Sequence, residues 1–141
     1  VAEIVAARRA ETRAIAVVVS AMSGTTNQLV EWTRGAAGPD LHGVDYDDEY
    51  DVVVASGEQV TAGLLALALR RKGLKARSWL GWQLKLSTDE AHGKARITGC
   101  DNPEFIRSVD SGEIAVVAGY GTITLAPYEA FRLAQPLAQP T

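Results

Sequence analysis

Small polar side chains are concentrated in one short stretch near the N-terminus, between two apolar patterns. The stretch is IAVVVSAMSGTTNQLV (residues 15–30), and its hydroxyl and amide side chains are Ser20, Ser23, Thr25, Thr26 and Asn27. The apolar residues before them lack polar alternation, which favours a strand covered on both faces, and the spacing after them favours a helix. Helix starts attract anions, and ligands of open α/β sheets lie beyond the carboxyl ends of the strands. The loop is therefore a candidate site for a carboxylate or a phosphate.

The same residue types also have a structural explanation. Ser, Thr and Asn side chains cap the free N–H groups at helix starts, and a glycine such as Gly24 is common in turns. The sequence alone leaves both interpretations open, a ligand site and a capped helix start.

A second candidate lies in residues 51–69, DVVVASGEQVTAGLLALAL. Residues 52–55 could form a short buried strand or a helical turn, because periodicity does not distinguish the two over so short a run. The triplet SGE, which includes Glu58, interrupts this run. From Gln59 onwards the apolar spacing predicts a largely buried helix, which ends after a basic cluster at Gly73.

Glu58 would then be placed at the start of that helix. A carboxylate there could stabilise the positive end of the helix dipole. It could also pair with the ammonium group of a substrate or with a catalytic lysine. The two roles are compatible, because one position serves both.

The rest of the chain supplies the elements that would hold these residues in place. A helix is predicted over residues 1–13, and a second buried strand over residues 114–118, IAVVA. Residues 76–86 are predicted to be extended chain around a kink at Gly81, in which Trp79 and Trp82 pack in the core or at an edge.

A short helix is predicted to begin at Pro103 and to end at Gly112, with Asn102 or Asp101 as its cap. Its buried side is predicted to consist of Phe105, Ile106 and Val109.

Composition limits the classes of function. With 141 residues, of which 47% are hydrophobic and 22% charged, the chain has the size and composition of one globular domain. A net charge of −3 without a basic cluster argues against nucleic-acid binding. No apolar run is judged long enough to span a membrane, and the charges near the N-terminus do not suit a signal peptide. A cytoplasmic protein without membrane attachment is expected.

Metal binding has little support in the sequence. The single cysteine is Cys100, and His42 and His92 are not spaced as metal ligands. An acidic run in residues 40–48 could hold a cation, but it lacks an EF-hand pattern, so a solvated loop is the favoured explanation. The acidic and histidine residues of the segment 87–97 are interpreted in the same way. No metal site is predicted.

Several of the motifs occur in an order and at a spacing found in a known family. They are VVVSAMSGTTNQLV, DVVVASGEQVTAGLLALAL, ARSWLGWQ followed by TDEAHGKARI, PEFIRSVDSGE and IAVVAGY. Together they resemble the kinase domain of aspartate kinase from residue 1 to about residue 120. The resemblance implies the amino acid kinase fold, a three-layer α/β/α sandwich around a mainly parallel sheet, and a helical conformation for residues 52–55.

The resemblance also implies an activity and three residue roles. Aspartate kinases transfer the γ-phosphoryl group of ATP, with Mg²⁺, to the side-chain carboxylate of L-aspartate, a step towards lysine, threonine and methionine. By this resemblance Thr26 would contact the aspartate, Glu58 would bind its amino group and help to orient a lysine, and Ser20 would lie near the nucleotide. Because the attacking carboxylate is already ionised, the reaction needs positioning and charge neutralisation more than a base.

The sequence departs from the family pattern at both ends of the matched region. The lysine-containing strand that the family has before the position of Val1 is not among these residues, and GYGTITLAPYEAF stands where the family has an Arg-Gly-Gly-Ser-Asp loop. We therefore expect a kinase domain truncated at both ends, with residues 1–125 as the partial domain and residues 126–141 as a divergent, partly frayed tail. No catalytic residue is assigned, and the chain alone is expected to be inactive. The alternative is a non-catalytic remnant that binds aspartate weakly or associates with an intact kinase subunit or with itself.

Overall fold

A computed structural model describes residues 1–38, 47–84, 86–88, 97–100 and 102–119. The helices are α1 (Ala2–Glu11), α2 (Thr25–Ala37), α3 (Asp47–Arg71) and α4 (Pro103–Asp110). The strands are β1 (Ala16–Val19), β2 (Ala76–Trp79), β3 (Leu86–Thr88), β4 (Ile97–Cys100) and β5 (Ile114–Ala118). The helices predicted at the N-terminus and from Pro103, and the strands in residues 15–19 and 114–118, are confirmed.

In the described part of the chain, the main sheet has three parallel strands in the order β1–β5–β2. Strand β5, which follows the other two along the chain, is thus the middle strand of this sheet. Its residue Val116 is paired with Val17 of β1 and with Ser78 of β2. A separate antiparallel pair is formed by β3 and β4. Strand β4 had no signal in the sequence analysis, and the acidic and histidine residues between these two strands lie outside the described residues.

Helices cover both faces of the main sheet, because alternate residues of β5 point in opposite directions. On one face Ile114, Val116 and Ala118 join a core cluster with residues of α1 and α3. On the other face Ala115 and Val117 pack with Trp79 and with residues of α4. All five residues of β5 are buried. This confirms the parallel sheet covered on both faces that the apolar runs predicted, and the three-layer α/β/α sandwich that the resemblance implied.

The boundaries of the two C-terminal helices follow the expected signals. Gly73 ends α3 with φ of +79°, a conformation that only glycine adopts without strain. Pro103 begins α4, and of the two possible caps it is Asn102 whose side chain accepts a hydrogen bond, from the N–H of Phe105 at 3.0 Å. The prediction that Ile106 is buried is wrong, since it is 59% exposed. Phe105 and Val109, which lie one turn apart, form the face that packs on the sheet.

The two tryptophans near the end of β2 have different environments. Trp79 is 1% exposed and meets the ring of Phe105 edge-on, with the ring centroids 5.3 Å apart. Trp82 is 54% exposed, so it does not belong to the core.

Helix α3 differs from the prediction in its N-terminal half. It runs without a break from Asp47 to Arg71, so residues 52–55 are helical and Glu58 lies in the middle of the helix, not at its start. The hydroxyl groups near the predicted break bond within the helix: Ser56 Oγ donates to the carbonyl of Val53 at 2.6 Å, and Thr61 Oγ1 to that of Gly57 at 3.1 Å. Ser56 and Gly57 have a low intrinsic preference for helix, but α3 continues through them because tertiary packing stabilises the helix more than local propensity destabilises it.

The uninterrupted α3 also corrects the expectation about membrane spans. Within the described part of the chain, the segment Asp48–Arg71 is long and apolar enough to cross a bilayer by length and composition. It is instead the main helix of the core, because Ala62, Leu65 and Leu69 are buried in the cluster that covers the sheet.

Candidate functional site

The carboxyl ends of the parallel strands bring the first candidate loop next to the centre of the sheet. Strand β1 ends at Val19, whose carbonyl accepts a hydrogen bond from the N–H of Gly119 at 2.8 Å. Ser20 follows immediately and is exposed. The loop thus starts at the carboxyl ends of the parallel strands, where ligands of α/β folds bind.

The start of α2 is open to a ligand. Its N-cap is Gly24, in a left-handed conformation with φ of +80°, and no side chain of the described residues caps the helix. The first turn also contains no acidic residue. Of the two interpretations that the sequence left open, the side-chain-capped helix start is therefore wrong for α2. The N–H of Thr25 donates to the carbonyl of Met22 at 3.0 Å. The other N–H groups of the first turn and the positive dipole end are available to an anion, and Thr26 is exposed in this turn.

Glu58 is a buried charged residue at this end of the sheet. It is only 5% exposed, and its Oε1 accepts a hydrogen bond from the backbone N–H of Ala21 at 3.0 Å. The other oxygen, Oε2, is buried and has no hydrogen-bond partner among the residues that the structure describes. Burial raises the pKa of the Glu58 carboxyl above its ordinary value, while the hydrogen bond from Ala21 acts in the opposite direction.

An unpaired oxygen on a buried carboxylate is energetically costly. A cationic group placed against Oε2 would supply the missing partner and would favour the ionised form of Glu58. The chemistry of this arrangement suits an ammonium group at Glu58 and an anionic group at the start of α2.

The structure brings the two sequence candidates to one junction. Ser20 and Ala21 are adjacent, and the N–H of Ala21 bonds to Glu58. Gly57, next to Glu58, packs against Ala21 and Thr25, the residue before Thr26. The convergence of the Thr26 and Glu58 side chains on one ligand remains a prediction.

Two contributors to this junction were not identified from the sequence. One is the N–H of Ala21, a backbone group that no residue-type pattern can mark. The other is Gly57, which the sequence analysis treated as part of a helix break. Glycine inside a helical pattern can also mark a close approach of another backbone, and this was the available signal.

The described residues contain no group of three or more His, Cys, Asp or Glu side chains arranged to hold a metal ion. Most of the acidic run in residues 40–48 lies outside the described residues, and its last residues belong to α3.

The sequence matches the family model for the amino acid kinase family over residues 1–132. Together with the three-layer fold and the site at the carboxyl ends of its strands, this match shows that the chain belongs to the amino acid kinase family.

Within that family the chain is similar to aspartate kinases. It is 42% identical to the aspartate kinase of Pseudomonas fluorescens over 106 residues, which are 75% of this chain and 25% of that protein. It is 40% identical to the aspartokinase of Geobacillus stearothermophilus over 110 residues, 78% of this chain and 26% of that protein. The crystal structure of aspartate kinase from Synechocystis superimposes with a TM-score of 0.65 at 26% identity and covers 89% of this chain and 20% of the other. The chain thus spans about a quarter of the length of the curated relatives it matches.

Proposed function

We propose that this chain carries the aspartate-binding side of an aspartate kinase. In the proposed reaction a side-chain carboxylate oxygen of L-aspartate attacks the γ-phosphorus of ATP, the bond from that phosphorus to the bridging oxygen breaks, and ADP leaves. The product is aspartyl phosphate. The family membership, and the aspartate kinases to which the chain is similar, support this reaction class.

The observation that carries the proposal is the unpaired Oε2 of Glu58. This oxygen is buried at the carboxyl end of the sheet, beside a loop rich in hydroxyl groups. The ammonium group of an amino acid is a compact cation with three donors, and it suits a buried carboxylate that lacks one partner.

The opposite charge of the substrate is proposed to bind at the start of α2. The uncapped N–H groups there and the hydroxyl of the exposed Thr26 are donors that a carboxylate accepts from. An ammonium at Glu58 and a carboxylate near Thr26 would orient an amino acid along the loop.

The nucleotide is proposed to lie next to Ser20, which is exposed directly after β1. Its hydroxyl and the positive end of α2 fit the chemistry of a phosphate group. ATP with Mg²⁺ would supply the phosphoryl group when bound. The contribution of these residues is to position the two substrates and to provide hydrogen-bond donors.

Isothermal titration calorimetry of the 141-residue chain with L-aspartate tests the proposal. We expect binding that weakens about 10- to 150-fold in Glu58→Gln, because charge-assisted hydrogen bonds contribute roughly 1.5–3 kcal/mol. Glu31→Gln is the matched control, since Glu31 is an exposed glutamate of α2. Succinate, which lacks the ammonium group, should bind to the wild type more weakly than aspartate does. The affinity for succinate should be about the same in Glu58→Gln and in Glu31→Gln. Equal binding of aspartate by the wild type and Glu58→Gln would contradict the proposal.

Other expectations from the sequence remain predictions: that the chain alone does not turn over substrate, that it acts in the cytoplasm, and that it associates with an intact kinase subunit or with itself. An ADP-release assay with ATP, Mg²⁺ and aspartate tests the first. Co-purification with a full-length aspartate kinase tests the last.

A further inference from the structure

One close approach of backbone segments at the candidate site involves a residue without a side chain. Gly57 precedes Glu58 in α3 and lies against the segment that connects β1 to α2. A Cβ atom placed on Gly57 would be 3.0 Å from the Cβ of Ala21 and 3.1 Å from Cδ1 of Leu29. Carbon atoms in contact favour separations of about 3.5–4.0 Å. A side chain at this position would therefore push its neighbours away.

The two neighbours differ in their freedom to move. Cδ1 of Leu29 is the end of a flexible side chain. The Cβ of Ala21 is attached directly to the backbone, and the N–H of the same residue donates the hydrogen bond to Glu58. Displacing the Cβ of Ala21 would thus displace the donor that holds the Glu58 carboxylate.

We propose that Gly57 is a positioning residue for the candidate site. Its missing side chain lets α3 approach the β1–α2 segment closely enough for Glu58 to accept the hydrogen bond of Ala21. That hydrogen bond sets the orientation of the carboxylate and ties it to the loop that carries Thr26. The part of this inference that concerns aspartate affinity rests on the proposed function, whereas the part that concerns the Ala21–Glu58 hydrogen bond does not.

A second glycine in α3 provides a matched control. Gly63 is also inside the helix, but a Cβ atom there would meet nothing within 4 Å. Glycine to alanine gains helix propensity at both positions. Differences between Gly57→Ala and Gly63→Ala therefore report the contact with Ala21 and not the change in propensity.

The experiment measures two properties of the 141-residue chain and its variants. The first is the pH-dependent shift of the Ala21 amide proton in NMR spectra, which reports its hydrogen bond to the Glu58 carboxyl and disappears in Glu58→Gln. The second is the Kd for L-aspartate by calorimetry. We expect Gly57→Ala to reduce the amplitude of the Ala21 shift by about half or more and to raise Kd about tenfold, because displacements of about 0.5 Å already impair a binding site. Gly63→Ala should leave both properties within twofold of the wild type.

A second substitution tests the cause directly. Ala21→Gly removes the Cβ that the new side chain would meet, so Gly57→Ala combined with Ala21→Gly should recover most of the Ala21 shift and most of the affinity, relative to Ala21→Gly alone. The inference is overturned if Gly57→Ala behaves like Gly63→Ala, or if the double variant is no better than Gly57→Ala. Should the wild type not bind aspartate, the proposed function fails, but the NMR measurement still decides the role of Gly57.

Discussion

The start of α4 and the middle of α3 each bury one strongly polar side chain, but the two surroundings differ. Asn102 is 7% exposed; its Oδ1 accepts from the N–H of Phe105 at 3.0 Å, and its Nδ2 donates to the carbonyl of Gln83 at 3.4 Å. Glu58 is 5% exposed and has one oxygen bound to Ala21 and one without a partner in the described part of the chain. Asn102 is satisfied within the chain, whereas Glu58 is completed by a ligand in our proposal.

The largest expected difference between these regions concerns ligand binding. We expect Glu58→Leu to weaken aspartate binding about 100-fold or more, because it removes the partner of the ammonium group. Its free energy of unfolding should change by less than about 1 kcal/mol, since removing a poorly paired buried charge offsets the lost hydrogen bond. Calorimetry and urea denaturation measure the two effects. A loss above about 3 kcal/mol with unchanged aspartate affinity would mean that Glu58 has a structural role, like Asn102.

The converse result is expected for Asn102. Asn102→Ala should lower the free energy of unfolding by about 1–2 kcal/mol, because it removes the cap of α4. Asn102→Ser, which retains a capping oxygen, should lose less. Aspartate affinity should stay within twofold of the wild type in both variants. Impaired binding in a folded Asn102→Ala variant would show that the two regions are coupled.

A smaller effect is expected at the start of α2. Thr26→Val should weaken aspartate binding about fivefold, since one neutral hydrogen bond contributes about 1 kcal/mol. The melting temperature should not change, because Thr26 is exposed. Thr26→Ser retains the hydroxyl group and is expected to bind like the wild type. If serine and valine variants bind equally, the hydroxyl group of Thr26 does not contact the ligand.

The smallest effect is a dependence of stability on pH. The pKa of Glu58 is raised in the folded chain, so the folded state holds a proton at pH values where the unfolded state has released it. The free energy of unfolding should therefore fall as pH rises from about 4.5 through the folded pKa, and this contribution should be constant above it. Comparing the pH dependence of urea denaturation in the wild type and in Glu58→Gln isolates the contribution. A slope of the opposite sign would contradict the assigned surroundings of Glu58.

The sequence predicted the structure correctly where the residue pattern matches the burial or hydrogen bonding that the element needs. The apolar runs ending at Val19 and Ala118 lack alternation because both faces of the sheet are covered, so they could be recognised as parallel strands of the core. All of β5 is buried, whereas only Val19 of β1 is buried. A helix start at Pro103, capped by Asn102 or Asp101, was a local signal that needed no tertiary information, and the structure identified Asn102 as the cap.

The sequence misled where packing outweighs local preference. The triplet containing Ser56 and Gly57 has the composition of a break, yet α3 continues through it because its hydroxyl groups bond inside the helix and its buried face packs on the sheet. Ile106 has the residue type of a core position but faces away from the sheet.

Residue types and their order were sufficient to determine the fold class, the family and the candidate residues Ser20, Thr26 and Glu58. Tertiary structure decided that one oxygen of Glu58 is held by Ala21 while the other has no partner in the described residues. The hydrogen bond from the N–H of Ala21 to Glu58 requires α3 to lie close to the β1–α2 segment at Gly57. Such a distance between segments far apart in the chain cannot be read from the spacing of residues in the sequence.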